Sequence, residues 1–514
     1  MDNSRTLFAI ILSIAVLLGY QYFFANPVPP EPQQQVQSDS KKPQAAAETQ
    51  KASEHASPAV VRPAVSSVQN EEKEIVVDTS LYRAVFSSRG GTLKYMELKK
   101  HKDSQGKAVV MKADSSIPPF AILLPDGRQL LDNYKTEGSS ISLDAGSKEG
   151  SIVFKYSADN FFVYRTYTFR EGTYAFDLRD EVQGLAGYSI ALGKDFGIVE
   201  NNDSEHMGPV VLKDSERIEF KTKDLQQPKI YRDGFKWIAQ EDKYFFSAIV
   251  PREKVDEARV EIKDSVTTSS IKMNSGTNSY LLYAGPKEHD TLKALNVGLE
   301  HIVNFGFFSI LALPLFWLLK QLYLIVNNYG VAIIILTVIT RIPFIPLINK
   351  SQQSMKKLQD VQPLMAEIRE KYKKDPQRMQ KELMELYKKH KVNPMGGCLP
   401  MLVQIPVFFA LFKVLGVSIE LRHAPFMFWM QDLSTKDPYY VLPILMGATM
   451  FLQQKMTPSA MDPKQQKMML FMPIIFTFLF FTFPSGLVLY WLVSNILSII
   501  QQYFVNKKLQ AQKA

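Results

Sequence analysis

Arg341 is the eleventh of the eighteen residues in the apolar run 331–348. A cation at that depth costs about 2.5–3.5 kcal/mol in a lone membrane helix, and such residues face a protein interior or a water-filled cavity. Near the end of a run it could snorkel to the surface, but the middle denies it that escape. Thr337, one turn earlier, shares its face. Gln404 stands between Pro400 and Pro406 in the next apolar run. Further on, Trp491, Asn495, Ser498 and Gln502 recur at helical spacing. Each of these polar residues taken singly fits a hydrogen bond between helices. Together with Arg341 they fit a hydrated groove. The apolar runs contain no central Asp or Glu to neutralise Arg341, and an unpaired buried cation is expensive. Lys413 is a second cation in an apolar run, nearer its outer end, where snorkelling accounts for it.

Bond-making chemistry finds little support. His101, His206 and His289 are scattered without metal-ligand spacing, and no G-x-S-x-G or G-x-x-x-x-G-K-[ST] motif occurs. Glu200 and Asp203 suit a solvated loop. No catalytic residue, metal or cofactor is expected.

The elements that position Arg341 follow from length and charge. The 514 residues exceed one compact core. An average of 46% hydrophobic and 22% charged residues hides a split. Residues 71–300 are polar and mixed, whereas 301–514 alternate apolar runs with basic connections. Leu7 to Phe24 is an apolar stretch behind Arg5, long enough to span. A cleaved signal would need a small-x-small site, and Phe23 spoils the one before Asn26, so 1–26 is expected to be an uncleaved transmembrane anchor. Residues 27–70, rich in Pro, Gln, Ala and Ser, are expected to be a disordered tether.

Residues 71–300 carry strand signals. Val163, Arg165, Tyr167 and Phe169 alternate with Phe162, Tyr164, Thr166 and Thr168. After Glu171-Gly172-Thr173 the alternation resumes with Tyr174, Phe176 and Leu178, a hairpin pattern. Ser87-Ser88-Arg89-Gly90-Gly91 is a second turn. A mostly antiparallel β-sandwich is expected. The single cysteine, Cys398, allows no internal disulfide.

The fold class is therefore mixed: a multi-span helical membrane core of six transmembrane helices, a large β-sandwich outside, and a cytoplasmic helical hairpin. The core spans are expected at 331–348, 398–417, 439–452, 468–483 and 487–505. Residues 350–396 carry twelve Lys and Arg, which places them in the cytoplasm by the positive-inside rule. The parity works only if the apolar stretch 305–326 lies along the outer surface as an interfacial helix. Both termini are then cytoplasmic. Within 350–396, Leu358, Val361, Met365, Ile368 and Tyr372, then Met379, Leu383, Leu386 and His390, form rows at helical spacing on either side of Asp375-Pro376, a cap residue followed by a first-turn proline. This is a helical hairpin, kinked at Pro363.

Several runs resemble the YidC/Oxa/Alb family of membrane insertases, in its Gram-negative form. They are Arg341 with Pro346, the basic hairpin, Val392-Asn393-Pro394-Met395-Gly396-Gly397-Cys398, Asp437-Pro438-Tyr439-Tyr440, Gln466-Lys467-Met468, and Phe483-Pro484-Ser485-Gly486-Leu487-Val488-Leu489-Tyr490. The resemblance covers 300–505 strongly and the remainder in order and type. It implies five spans around a groove open to cytoplasm and lipid, with Tyr490 added to the groove residues. It also implies residence in the bacterial inner membrane and a periplasmic domain of supersandwich form that contacts the Sec translocon. Nascent membrane proteins would be the clients. The basic hairpin would meet lipid headgroups, the ribosome or signal-recognition machinery. Trp491 departs from the tyrosine expected after Tyr490, and the short tail after Val505 argues against a ribosome contact there. Insertion would draw on burial of the client's apolar span, about 25 cal/mol per Å², and on the membrane potential acting on acidic segments. The rival reading is a solute or anion transporter binding at Arg341, for which the internal repeats usual in transporters are missing.

Overall fold

The computed structural model describes residues 71–514 apart from 104, 113–116, 159, 194–205, 222–224, 264–265, 391, 393–398, 458–462 and 512–514. The expected anchor and tether, Glu200, Asp203 and most of the 392–398 run lie outside the described residues.

Strands occupy the chain from Glu74 to Pro286 and form three sheets. The largest has nine strands, in the spatial order Lys135–Glu137, Glu149–Ser157, Phe162–Arg170, Ala175–Gln183, Gly276–Pro286, Phe245–Pro251, Phe235–Glu241, Gly208–Lys213 and Glu216–Glu219. Two five-stranded sheets accompany it, one built around Tyr82–Ser87 and one around Val266–Met273. Among the described residues, pairing between strands is antiparallel except between Glu74–Asp78 and Ile141–Ser142. Rings link the layers. Phe86 lies 4.8 Å from Tyr167 and 5.4 Å from Phe169, and Phe120 lies 5.9 Å from Phe176. Both five-stranded sheets thus contribute to a shared core against the inner face of the nine-stranded one.

The expected hairpin pairs Phe162–Arg170 with Ala175–Gln183, Phe169 opposite Phe176. Val163, Arg165, Tyr167 and Phe169 all point inward, so the alternation carries a cation into the core. Its partner is Asp180, directly opposite in register. Arg165 Nε donates to Asp180 Oδ1 at 2.8 Å, Nη2 to Oδ2 at 3.2 Å, and Nη1 to the Phe120 carbonyl at 2.7 Å. Neither side chain has any exposed surface. In the Ser87–Gly91 turn, Gly90 and Gly91 adopt φ of 72° and 58°, a region that glycine enters freely.

The helices follow. Helix α1 is His289–Ala294, α2 Ser309–Val326, α3 Tyr329–Arg341, α4 Ile345–Asp360, α5 Gln362–Lys371, α6 Pro376–Lys389, α7 Leu399–Val417, α8 Val441–Met456, α9 Pro463–Phe480 and α10 Ser485–Ala511. Asn328 caps α3, its side chain accepting from the Val331 N–H at 3.0 Å. The expected span 331–348 is built from three pieces, because α3 ends at Arg341 and a 3₁₀ turn, Ile342–Phe344, precedes α4. Pro343 and Pro346 lack the N–H groups an uninterrupted helix would use. The kink expected at Pro363 falls at Val361, where α4 gives way to α5, because proline is tolerated in a helix's first turn and not in its interior. Asp375 caps α6 as expected, accepting from the Arg378 N–H at 3.1 Å. Helix α8 starts two residues after the expected 439 and runs past 452, while α10 runs past 505.

The chain divides into two units, one holding Ile368–Glu382 and the other holding the described residues up to Glu367 and from Leu383 on. Within the first, the Arg378 guanidinium lies 5.1 Å from the Tyr372 ring centre. Within the second, the β domain touches the helices through Arg422 and His423, which both contact the Lys102 carbonyl.

Three helical stretches among the described residues are long and apolar enough to cross a membrane: Ser309–Val326, Tyr329–Asp360 and Ser485–Lys508. Helices α8 and α9 meet closely at Gly447, where an added Cβ would lie 1.9 Å from Thr477 Oγ1. Gly447→Ala is expected to force these helices apart and cost about 1–3 kcal/mol, in the manner of an overpacked core. A thermal melt of the detergent-solubilised protein checks this, with unchanged Tm as the contrary result.

Candidate functional site

Helices α3, α4, α7, α8, α9 and α10 contribute to a cavity of about 500 Å³. Six of the seven residues singled out from the sequence line it: Arg341, Gln404, Tyr490, Trp491, Asn495 and Ser498. The seventh, Thr337, does not. It is buried, and its hydroxyl donates to the Ile333 carbonyl of its own helix at 2.6 Å. Thr337 and Arg341 share a helix face, but a short side chain satisfied on its own backbone stays covered by neighbours, whereas an arginine reaches past them.

Arg341 is held by α10. Its Nη1 donates to the Ser494 carbonyl at 2.7 Å and to Ser494 Oγ at 3.2 Å, and its Nη2 donates to Ser498 Oγ at 2.6 Å. Its Nε is buried without a partner. Among the described residues, those lining the cavity include no carboxylate. The positive charge is therefore held by hydroxyls and one carbonyl dipole and stays uncompensated, which favours an incoming anion or acidic group. Gln404 Nε2 donates to the Tyr490 hydroxyl. Trp491 stands edge-on to Phe408, with ring centres 4.7 Å apart, and packs against Phe480 at 5.0 Å.

Ser494 escaped the sequence stripe of 491, 495, 498 and 502. The signal was present in the neighbouring row, since Tyr490, Ser494 and Ser498 recur every four residues. The amides Gln352, Gln453, Gln454 and Asn506 were also missed. They line the cavity toward the end that bears Lys356 and Lys357.

The opposite end is dry. Ile333, Leu336, Ala410, Leu411, Val414, Leu487 and Val488 are each at most 1% exposed. Beyond them the loop before α8 caps α10: the Ser485 N–H donates to the Thr435 carbonyl at 2.7 Å and the Gly486 N–H to the Leu433 carbonyl at 2.9 Å. These bonds satisfy donors that a helix start leaves open. Among its described lining residues the cavity thus carries one cation, set amid hydroxyls, amides and apolar side chains. No group of three or more potential metal ligands occurs among the described residues.

A β-rich domain followed by long apolar helices around a cavity that holds a cation is the architecture of an integral membrane protein. Residues 321–513 match the model described as 60Kd inner membrane protein, and 74–318 match that of the YidC periplasmic domain. The chain is 43% identical to the membrane protein insertase YidC of Geobacter metallireducens over 100% of both chains. It is 42% identical to that of Geotalea daltonii, over 99% of this chain and 100% of the other. Among solved structures, an active YidC insertase with its first transmembrane domain resolved shares 21% identity at a TM-score of 0.39, covering 85% of this chain and 93% of that one. The chain belongs to the YidC family of membrane protein insertases. Its β-rich part is the periplasmic domain of that family.

Proposed function

We propose that the protein inserts nascent membrane proteins by receiving a client's polar extramembrane segment in the cavity around Arg341, while the client's apolar segment passes into lipid along exposed helix faces. The observation that carries this is one described cation, held by Ser494 and Ser498 and accompanied by several amides, in a cavity beyond which apolar side chains are packed. Such a cavity shortens the dry path a polar segment must cross. Outward-facing Phe471, Ile474, Ile475 and Phe478 on α9 offer an apolar surface for the departing segment. The action needs no covalent chemistry.

The proposal extends to topology: six spans including the N-terminal anchor, an inner-membrane location, both termini cytoplasmic, the β domain at 71–300 outside, the insertase core at 301–514 and the hairpin 350–396 inside. The twelve basic residues of that hairpin support it. For α2, two readings compete, since its length would let it span. Lys320 favours an interfacial position. Its ammonium lies 2.6 Å from Asp290 and 3.7 Å from Glu420, carboxylates that follow the β domain and α7 respectively, on the outer side in this topology. The resemblance adds contacts of the periplasmic domain with the Sec translocon, and of the hairpin with ribosome, signal-recognition machinery or lipid.

A photo-crosslinker at Trp491 and another at Gln453, each exposed to a ribosome-stalled nascent membrane protein in native vesicles, tests the central claim. Adducts to the nascent chain are expected at both, and none at the buried Thr337. Absence of adducts at both cavity sites while clients still insert would move the transporter reading to the front.

A further inference from the structure

The loop between α7 and α8 ends in a rigid apolar finger. The Phe426 N–H donates to the Met430 carbonyl at 2.9 Å, the Met430 N–H to that of Met427 at 3.1 Å, and the Leu433 N–H to that of Ala424 at 3.1 Å. Met430 and Leu433 are buried at its base. Its side is pinned as well. Asn328 Nδ2 donates to the Phe426 carbonyl at 3.0 Å, and the Phe426 ring lies so close to Gly330 that a Cβ there would come within 2.0 Å of it. Trp429 Nε1 donates at 3.0 Å to Asp437. That aspartate also accepts the N–H groups of Tyr439 and Leu442 at the start of α8.

All this order presents two side chains to the outside. Met427 is 46% exposed and Phe428 is 83% exposed. Phe428 moreover holds a φ of 58°, a left-handed conformation that is a genuine outlier for a bulky residue. The fold thus maintains a strained backbone to expose an aromatic ring, a pattern found where the exposure is used. Trp429 and Tyr439 flank it, with ring centres 6.0 Å from Phe428 to Trp429 and 6.4 Å from Trp429 to Tyr439.

The occupant follows from where the finger is fastened. Asn328 is the corner between α2 and α3, so the finger is pinned where one apolar helix stops and the next begins. Tyr323 and Tyr329 stack at 3.9 Å on either side of that corner. Tryptophan and tyrosine gathered at the end of apolar helices mark the membrane–water interface, and exposed Gln431 and Lys436 give the finger a polar border. We propose that residues 427–429 are seated in the lipid of the membrane leaflet at this corner, where they fix the depth at which α3 and α8 enter the bilayer. This rests on the reading of α3, α8 and α9 as spans.

The test uses the full chain with Cys398→Ser, labelled with the environment-sensitive fluorophore NBD at Phe428→Cys or Met427→Cys, in phosphatidylethanolamine–phosphatidylglycerol proteoliposomes. Labels at Ile475→Cys on α9 and Arg128→Cys in the β domain serve as lipid and water references. Quenching by lipid carrying a nitroxide near the glycerol backbone is expected at 427 and 428, with iodide quenching about fivefold weaker than at 128. Iodide quenching equal to that at 128, without nitroxide quenching, would put the finger in water and overturn the proposal. Protection from both quenchers would mean a protein covers it and overturns it equally. Failure of nitroxide to quench Ile475 would instead defeat the span reading itself.

Discussion

Arg341→Ala is expected to lower insertion of clients with acidic translocated segments by about 10- to 100-fold, the equivalent of one lost charge-assisted hydrogen-bond set. The described residues of the cavity lining offer no other charge to take its place. Arg341→Lys keeps the cation but loses the fork that reaches both Ser494 and Ser498, so an intermediate defect is expected. Clients whose translocated segments are short and uncharged should lose less. Protease protection of radiolabelled clients in proteoliposomes measures all three. Equal loss for acidic and uncharged clients would assign Arg341 a structural role.

The second large effect lies in the β domain. Arg165→Met leaves Asp180 buried with no partner, and breaking such a pair costs about 3–5 kcal/mol. The double variant Arg165→Met with Asp180→Leu is expected to recover most of this, because two apolar side chains ask nothing of a dry core. Limited proteolysis of the intact protein across a urea series, scored by cleavage in the β domain, distinguishes them. If the double variant is no better than the single one, the loss comes from the bond of Arg165 to the Phe120 carbonyl rather than from the stranded carboxylate.

Local patterns were legible in the sequence. The hairpin through Gly172, the Ser87–Gly91 turn and the Asp375 cap each depend on neighbours within a few residues, and each is found. The division of the strands into three sheets depends on pairings far apart in the chain, such as Tyr188–Leu192 with Ala121–Leu123, which no local period announces. The pairing of Arg165 with Asp180 was not legible, because the two meet across a register that only the folded hairpin sets. At the cavity, Arg341, Gln404, Trp491, Asn495 and Ser498 were recognisable from polarity within apolar runs, whereas Tyr490 came only with the family resemblance. Thr337 was misplaced because helical phase says which way a side chain points and not how far it reaches. Ser494 was passed over because two polar rows run side by side along α10 and the sequence does not say which one faces Arg341.

The dry layer of Ile333, Leu336, Ala410, Leu411, Val414, Leu487 and Val488 has an electrical consequence. In the topology proposed above, water filling the cavity would conduct compared with hydrocarbon, and the layer would insulate. A voltage applied across a bilayer of about 30 Å therefore falls mostly across the thin remainder, where the field is correspondingly steeper. Arg341 sits at the foot of that gradient. An acidic group held there would meet most of the membrane's driving voltage in the step beyond Arg341, across the layer, while the insulator denies ions a path through.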